Sequence, residues 1–314
     1  MRRKQTAIPL EHPSREARSP ATTIRRTTGW DQLTHPYAGR TAVLATKHEK
    51  LPLIGPPLER IVGLRVDAVA VDTDTLGSFT GDITRLGTPL DTAIAKARMG
   101  MRATEQTLGI ASEGSIGPDP AIPFIIADRE LIVLVDDDAG IVVWEAHSSW
   151  DIITNTKTVR PDEDLELFLT QADFPAHQLI VRPNNGAIYP IHKGIISPGD
   201  LAIAITECAS VASDGLARVE SDLRAHASPS RRTVIAEAAE HLARRIATRC
   251  PACGAPGWGR VDVLLGVPCA WCGTEVARLR AEIDGCVACE YRETRETISS
   301  ETRADPGECP ICNP

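Results

Sequence analysis

Eight of the nine cysteines in this chain of 314 residues stand in four CxxC pairs near its C-terminal end: Cys250/Cys253, Cys269/Cys272, Cys286/Cys289 and Cys309/Cys312. Two thiolates three positions apart can grip one zinc ion from a single tight turn, and two such turns complete a tetrahedral set of four sulfurs. In CPACG and CAWCG a glycine follows the second cysteine, where the backbone must bend sharply beneath the metal. The first two pairs are separated by 15 residues and the last two by 19, gaps that both suit a zinc ribbon. All eight cysteines are therefore expected to be ligands of two structural Zn²⁺ ions, and the spacing leaves open which pair joins which. A redox or disulfide array is the alternative. Cys208, alone in Ile205-Thr-Glu-Cys-Ala, reads as a small buried apolar residue.

A second set of chemistry-bearing residues lies upstream. Thr46, Lys47 and Lys50 follow an apolar run, Asp72 and Asp74 follow another, and Glu113 ends a third. Thr80 sits in a glycine-flanked polar loop over 77–82, and Lys96 lies on the flank of a helix. Carboxylates beside lysines and hydroxyls form a kit for magnesium-dependent chemistry on phosphates. Mg²⁺ takes one or two carboxylates with waters and phosphate oxygens, then activates a water and stabilises the leaving group. Glu113, Asp72, Asp74 and Lys50 are the candidate catalytic residues. Thr46, Lys47, Thr80 and Lys96 would hold the phosphates. The bland reading is that Asp and Thr after a strand form turns and that Lys96 is a solvated flank. In Glu220-Ser-Asp-Leu-Arg-Ala-His226, Arg224 and His226 precede a helix N-terminus and form a candidate anion site. Alternatively Arg224 pairs with Asp222. His147 and His177 read as structural hydrogen bonders.

The elements that must position these groups alternate along the chain. Strands are expected over 41–46, 65–72, 108–114, 124–136, 141–146, 178–181, 188–193 and 216–220. Asp138-Ala-Gly140 marks a hairpin turn. Helices are expected from Thr88, with Pro89 at its first position, over 161–171 and over 199–209, and after Ser228, where Ile235, Ala238, Leu242 and Ile246 share one face. This order predicts an α/β fold with a central mixed sheet flanked by helices, followed by a small C-terminal zinc-ribbon-like module. Ligands of such sheets gather at strand ends. Three segments follow: a disordered basic arm over 1–38, an α/β body over 39–249 and a zinc-binding module over 250–314.

Composition bounds the partners. Net charge is −8, while residues 1–38 carry seven Lys/Arg against three acids, leaving the remainder near −12. That acidity argues against a broad nucleic-acid surface, although a local site could still bind a small phosphorylated substrate. No run approaches the roughly 20 apolar residues of a membrane span, and the first residues lack the apolar segment of a secretory signal. Metal-type cysteine spacing fits a reducing, cytoplasmic setting.

Two resemblances extend this reading. GSFTGDI (77–83), LGIASEGSIGP (108–118), FPAH (174–177), HKGI (192–195), ESDLRAHASPSR (220–231) and the paired cysteines resemble an uncharacterised bacterial family of unknown function with a C-terminal paired-CxxC tail. The order of parts over 41–245 is similar to the inosine triphosphate pyrophosphatase-like fold, in its inosine/xanthosine triphosphatase branch. Thr46-Lys-His-Glu-Lys50, Thr92-Ala-Ile-Ala-Lys-Ala-Arg98, Ser112-Glu-Gly114 and Leu223-Arg224 stand where that fold has its phosphate loop, helix, metal-binding glutamate and basic loop. The usual Asn of the first loop is lacking. That resemblance implies Mg²⁺-dependent hydrolysis of a phosphoanhydride in a nucleotide-like substrate. The rival expectation is a non-enzymatic adaptor whose ribbon binds protein or nucleic acid through Trp258, Trp271, Arg260 and Arg278.

Overall fold

The structure, a computed structural model, describes residues 35–47, 49–73, 87–298 and 302–314. Asp74, Thr80 and the polar loop around them lie outside the described residues, as does nearly all of the basic arm expected over 1–38. Two compact units are present: one is Tyr37–Ala247, and the other contains Thr248–Pro314.

In the larger unit, β1 (Thr41–Ala45) lies parallel to β2 (Arg65–Val69) on one side and to β3 (Leu108–Pro118) on the other. The sheet continues antiparallel through β4 (Ile126–Asp136) and β5 (Ile141–Ser149), giving the order β2-β1-β3-β4-β5. This is the mixed sheet expected from the sequence. A second, four-stranded sheet, not foreseen, has the order β6 (Thr156–Val159), β9 (Ala217–Ser221), β7 (Leu179–Pro183), β8 (His192–Ile195).

Helices cover both sheets. α2 (Pro89–Thr104) begins at a full capping box, in which Thr88 and Asp91 each accept the other's backbone N–H. Its Ala93, Ala97 and Met101 pack on Val43, Ala111, Val133 and Val135. α4 (Pro198–Val211) buries Leu201, Ala204, Ile205 and Cys208 against Leu179, Val181, Ala217 and Val219 of the second sheet, so Cys208 is the buried apolar residue its context implied. A short α3 (Glu166–Gln171) and the long α5 (Pro229–Ala247) complete the set.

One helix was missed. α1 (Leu51–Val62) carries Gly55, Pro56 and Pro57 inside it, residues that propensity assigns to turns. Burial of Ile54, Pro57, Leu58 and Val62 along one face overrides that preference. Among the described residues no helix is long and apolar enough to cross a membrane.

The smaller unit is a three-stranded antiparallel ribbon, β10 (Gly259–Pro268), β11 (Glu275–Gly285) and β12 (Arg292–Glu296), in that order.

Candidate metal centres and the buried charge cluster

The eight paired cysteines converge into two tetrads. Cys250, Cys253, Cys286 and Cys289 form one, and Cys269, Cys272, Cys309 and Cys312 the other, with the sulfurs of each within 4.8 Å of one another. The sets interleave: pair one joins pair three, and pair two joins pair four. Strand length explains why neighbouring pairs do not combine. Ten of the 15 residues between the first knuckle and the second form β10, about 30 Å at the rise of an extended strand. β11 then runs back, placing Gly285 opposite Gly259 and delivering Cys286 beside Cys250. The fourth knuckle returns to the hairpin tip, where Ala304 bridges to Cys269. The ribbon thus has a four-sulfur site at each end.

Within the tetrads, Sγ–Sγ distances are 3.9 Å for Cys250–Cys289, 3.6 Å for Cys253–Cys286, 3.9 Å for Cys269–Cys312 and 3.5 Å for Cys272–Cys309. Sulfurs bound to one tetrahedral zinc at about 2.3 Å stand about 3.8 Å apart, so the spacing fits a thiolate-held metal ion such as zinc. Gly254 and Gly273, after the second cysteine of the first two knuckles, have φ of 75° and 74°. Their N–H groups donate to Cys250 O and Cys269 O at 2.9 and 3.1 Å, the sharp turn for which glycine was required. Hydrogen bonds from the Thr274 side chain and backbone pull the Cys272 thiol down to about 6. Burial and neighbouring sulfurs push Cys286 up to about 12, and its bond to Cys272, reinforced by burial, pushes Cys312 up to about 12. Four sulfurs this close cannot all carry charge alone; a bound dication removes the conflict.

In the larger unit, Lys50 follows β1, and its Nζ donates to Ser112 Oγ and Glu130 Oε1, both at 2.7 Å. Arg231, in the first turn of α5, donates from Nη2 to Glu130 Oε2 at 2.7 Å and from Nη1 to Leu223 O at 2.7 Å, with Nε 3.5 Å from Asp128 Oδ2. Asp128 and Glu130 are both 0% exposed. Burial works against a charged Glu130, but Lys50 and Arg231 outweigh it and hold the carboxyl below its ordinary range. Burial also pulls the Lys50 ammonium down, against the attraction of Glu130. Neither oxygen of Asp128 has a hydrogen-bond partner among the described residues, and burial raises its carboxyl to about 6. Gly114, in register with Glu130, leaves room for this cluster, since a Cβ there would overlap Arg231 Nη2 and Glu130 Oε2.

Strand alternation decides which of the candidate residues meet. Ser112 and Glu113 are consecutive in β3, which continues to Pro118, so Glu113 lies within the strand and not at its end. Ser112 faces the Lys50–Glu130 side, while Glu113, opposite Leu131, faces α2 and bonds Lys96 Nζ at 2.6 Å. Glu113 and Lys50 therefore project to opposite faces of the sheet. Lys47 pairs with Asp72. Thr46, just past β1, donates its N–H to Val69 O at 3.4 Å. Arg224 pairs with the buried Asp222, as one reading of that segment expected, donating from Nε to Oδ1 at 2.9 Å. His226 is half-buried in the loop before α5.

Glu130, Asp128 and Ser112 were not singled out from the sequence. The available signal was a pair of acids at alternate positions, flanking Arg129, in a strand whose remaining residues up to Val135 are apolar, Ile126-Ala-Asp-Arg-Glu-Leu-Ile-Val. Charges sharing the buried face of such a strand need cations from another element, here Lys50 and Arg231.

No curated protein and no solved structure matches the chain, and the expected likeness to inosine triphosphate pyrophosphatases gains no support there. Residues 96–314 match the domain of unknown function DUF6671, a span that takes in Ser112, Asp128, Glu130 and Arg231 of the cluster but not Lys50, together with most of the body and both tetrads. On that match, and in keeping with the motifs and paired cysteines read from its sequence, the chain belongs to the DUF6671 family.

Proposed function

We propose that the chain is a two-zinc protein whose C-terminal ribbon is a docking module for another protein, presented by a body that serves as scaffold. The observation that carries this reading is the pair of tetrads at the ends of one short ribbon. Without metal such a small sheet has little core, so zinc binding would supply its folding free energy. Trp271 and Ile311 occupy equivalent positions in CAWC and CPIC, the two knuckles of one tetrad, and are 79% and 66% exposed. Large apolar side chains held on a metal-rigidified turn are suited to fill a partner's pocket. Protein is favoured over nucleic acid by charge. Residues 248–314 hold seven arginines and no lysine against ten carboxylates, and each four-thiolate zinc site adds further negative charge. The test is capture by the full-length protein from a lysate of its source, comparing wild type with Trp271→Ala/Ile311→Ala. The partner should be lost while two zinc ions per chain are retained. Capture indifferent both to those substitutions and to zinc removal would end this reading.

A second reading is Mg²⁺-dependent hydrolysis of a nucleotide-like phosphoanhydride. It draws on the buried Lys96–Glu113 pair, with Lys50 on the other face of the sheet. Those charges, and that of Arg224, already meet carboxylates or lysines within the fold, which sets this reading second. Turnover of standard or deaminated nucleotides with Mg²⁺, abolished by Glu113→Gln, is the result that would promote it.

A further inference from the structure

Away from both the tetrads and the Lys50–Glu130 cluster, three side chains of the larger unit meet in the order carboxylate, imidazole, hydroxyl. His177 Nδ1 lies 2.8 Å from Asp173 Oδ2, and His177 Nε2 lies 3.0 Å from Ser230 Oγ. Asp173 follows α3, His177 precedes β7, and Ser230 occupies the first turn of α5. Backbone bonds hold these pieces in place. His177 N donates to Asp173 O at 2.9 Å, closing a turn in which Asp173 has φ of 52°. Gln178 N donates to Ala227 O at 3.0 Å and Asp222 N to Gln178 O at 2.8 Å, tying the histidine's segment to the loop that enters α5.

The tautomer follows from the bonds. Ser230 N–H donates to His177 Nε2 at 3.2 Å, so Nε2 is the unprotonated nitrogen and the ring proton sits on Nδ1, facing Asp173. This is the form a general base needs, with the carboxylate orienting the ring and able to stabilise an imidazolium. His177 is buried, whereas Ser230 is partly exposed, as a base and its nucleophile should be. Ile153 N–H reaches Ser230 Oγ at 3.3 Å, a backbone donor beside the atom where an adduct would grow. The positive end of α5 adds to the stabilisation of negative charge there. A histidine that merely capped α5 would need one acceptor nitrogen; the carboxylate behind the ring and the hydroxyl in front of it are additional.

We propose that Ser230, His177 and Asp173 form a nucleophilic triad that acts on small carboxylic esters. Ser230 Oγ attacks the ester carbonyl carbon as its proton passes to His177 Nε2, giving a tetrahedral adduct. Collapse breaks the bond to the alcohol oxygen, which takes the proton from Nε2 and departs. Water then attacks the acyl-serine, gives one proton to Nε2, and that proton returns to Oγ as the carboxylic acid leaves. Ester and water become acid and alcohol, with no oxidant or further reactant.

The test treats the full-length protein with a fluorophosphonate, maps the adduct by mass spectrometry, and follows p-nitrophenyl acetate hydrolysis. One adduct on Ser230 is expected. Its rate of formation should fall about 100-fold or more in His177→Gln, the lower range of general-base contributions, although glutamine keeps a carbonyl that can accept the Ser230 N–H and cap the helix. Should that variant not fold, Asp173→Asn, changed at a half-exposed position, should lower the labelling rate about 10-fold or more. An unlabelled Ser230, equal labelling in the folded variant, or ester hydrolysis undiminished in Ser230→Ala overturns the proposal.

Discussion

Replacing Arg231 with Met tests the structural weight of the buried charge cluster. Arg231 bonds Glu130 at 2.7 Å and lies 3.5 Å from Asp128, and both carboxylates are 0% exposed. Methionine keeps much of the side-chain volume but removes the cation that both acids face. Lys50 remains for Glu130, while Asp128 loses its ion partner. Breaking one member of a buried pair costs about 3–5 kcal/mol, because the charge left behind stays desolvated. For a unit of this size each kcal/mol lowers the melting temperature by about 2–4 °C, so the midpoint should fall by about 6–20 °C. Denaturant unfolding followed by circular dichroism measures the loss directly. Glu130→Gln supplies the other corner of a double-mutant cycle, and a coupling of about 0.5–3 kcal/mol is expected for groups in contact. A loss below about 1 kcal/mol, or two losses that simply add, would refute the reasoning.

Other predictions concern the same region and the ribbon. Gly114→Ala should cost about 1–3 kcal/mol in the same unfolding assay, since a Cβ there would overlap Arg231 and Glu130 and force a shift in a packed core. Asp128 titrates near 6 in the folded protein, above its ordinary 3.8. Its stabilising contribution is thus fully present below about pH 4 and is lost as pH rises through about 6, a change of about 3 kcal/mol. The difference in unfolding free energy between wild type and Asp128→Asn, measured from pH 4 to 7, should trace that slope, and a flat difference would contradict it. Chelation should unfold residues 248–314 while leaving the unfolding transition of residues 37–247 in place, read by hydrogen exchange of the two units.

What the sequence made legible followed from local rules. Strand β1, the hairpin of β4 and β5, and helices α2, α4 and α5 were found because their apolar periods and caps are strong: Thr88-Pro89 opens α2, and Ser228 precedes α5. Helix α1 was hidden by Gly55, Pro56 and Pro57, whose local preference is overruled by burial against the body. Strands near β7, β8 and β9 were expected, but nothing local showed that they form a sheet of their own, and β6 (Thr-Lys-Thr-Val) was hidden because it has little apolar signal. Cysteine spacing identified all eight members of the tetrads but not their partners, since pairing depends on where the hairpin sends the chain. In the body, Lys50, Lys96 and Glu113 were recognised as unusual, yet neither the pairing of Lys96 with Glu113 nor the partners of Lys50 were foreseen. Whether Glu113 and Lys50 share a face depends on how far β3 runs and on strand parity, and a one-residue shift reverses the answer. The Asp173–His177–Ser230 arrangement joins residues more than fifty positions apart, and no local pattern announced it.

The interleaved tetrads are the centre of this account, and one double substitution addresses them. Cys250→Ser with Cys286→Ser removes two sulfurs that the structure assigns to the same site. Elemental analysis of the purified variant should find about one zinc per chain, held by the intact Cys269–Cys312 site, against about two in the wild type. A variant that has lost both ions would mean that neighbouring pairs share a metal, and would contradict the ribbon as described.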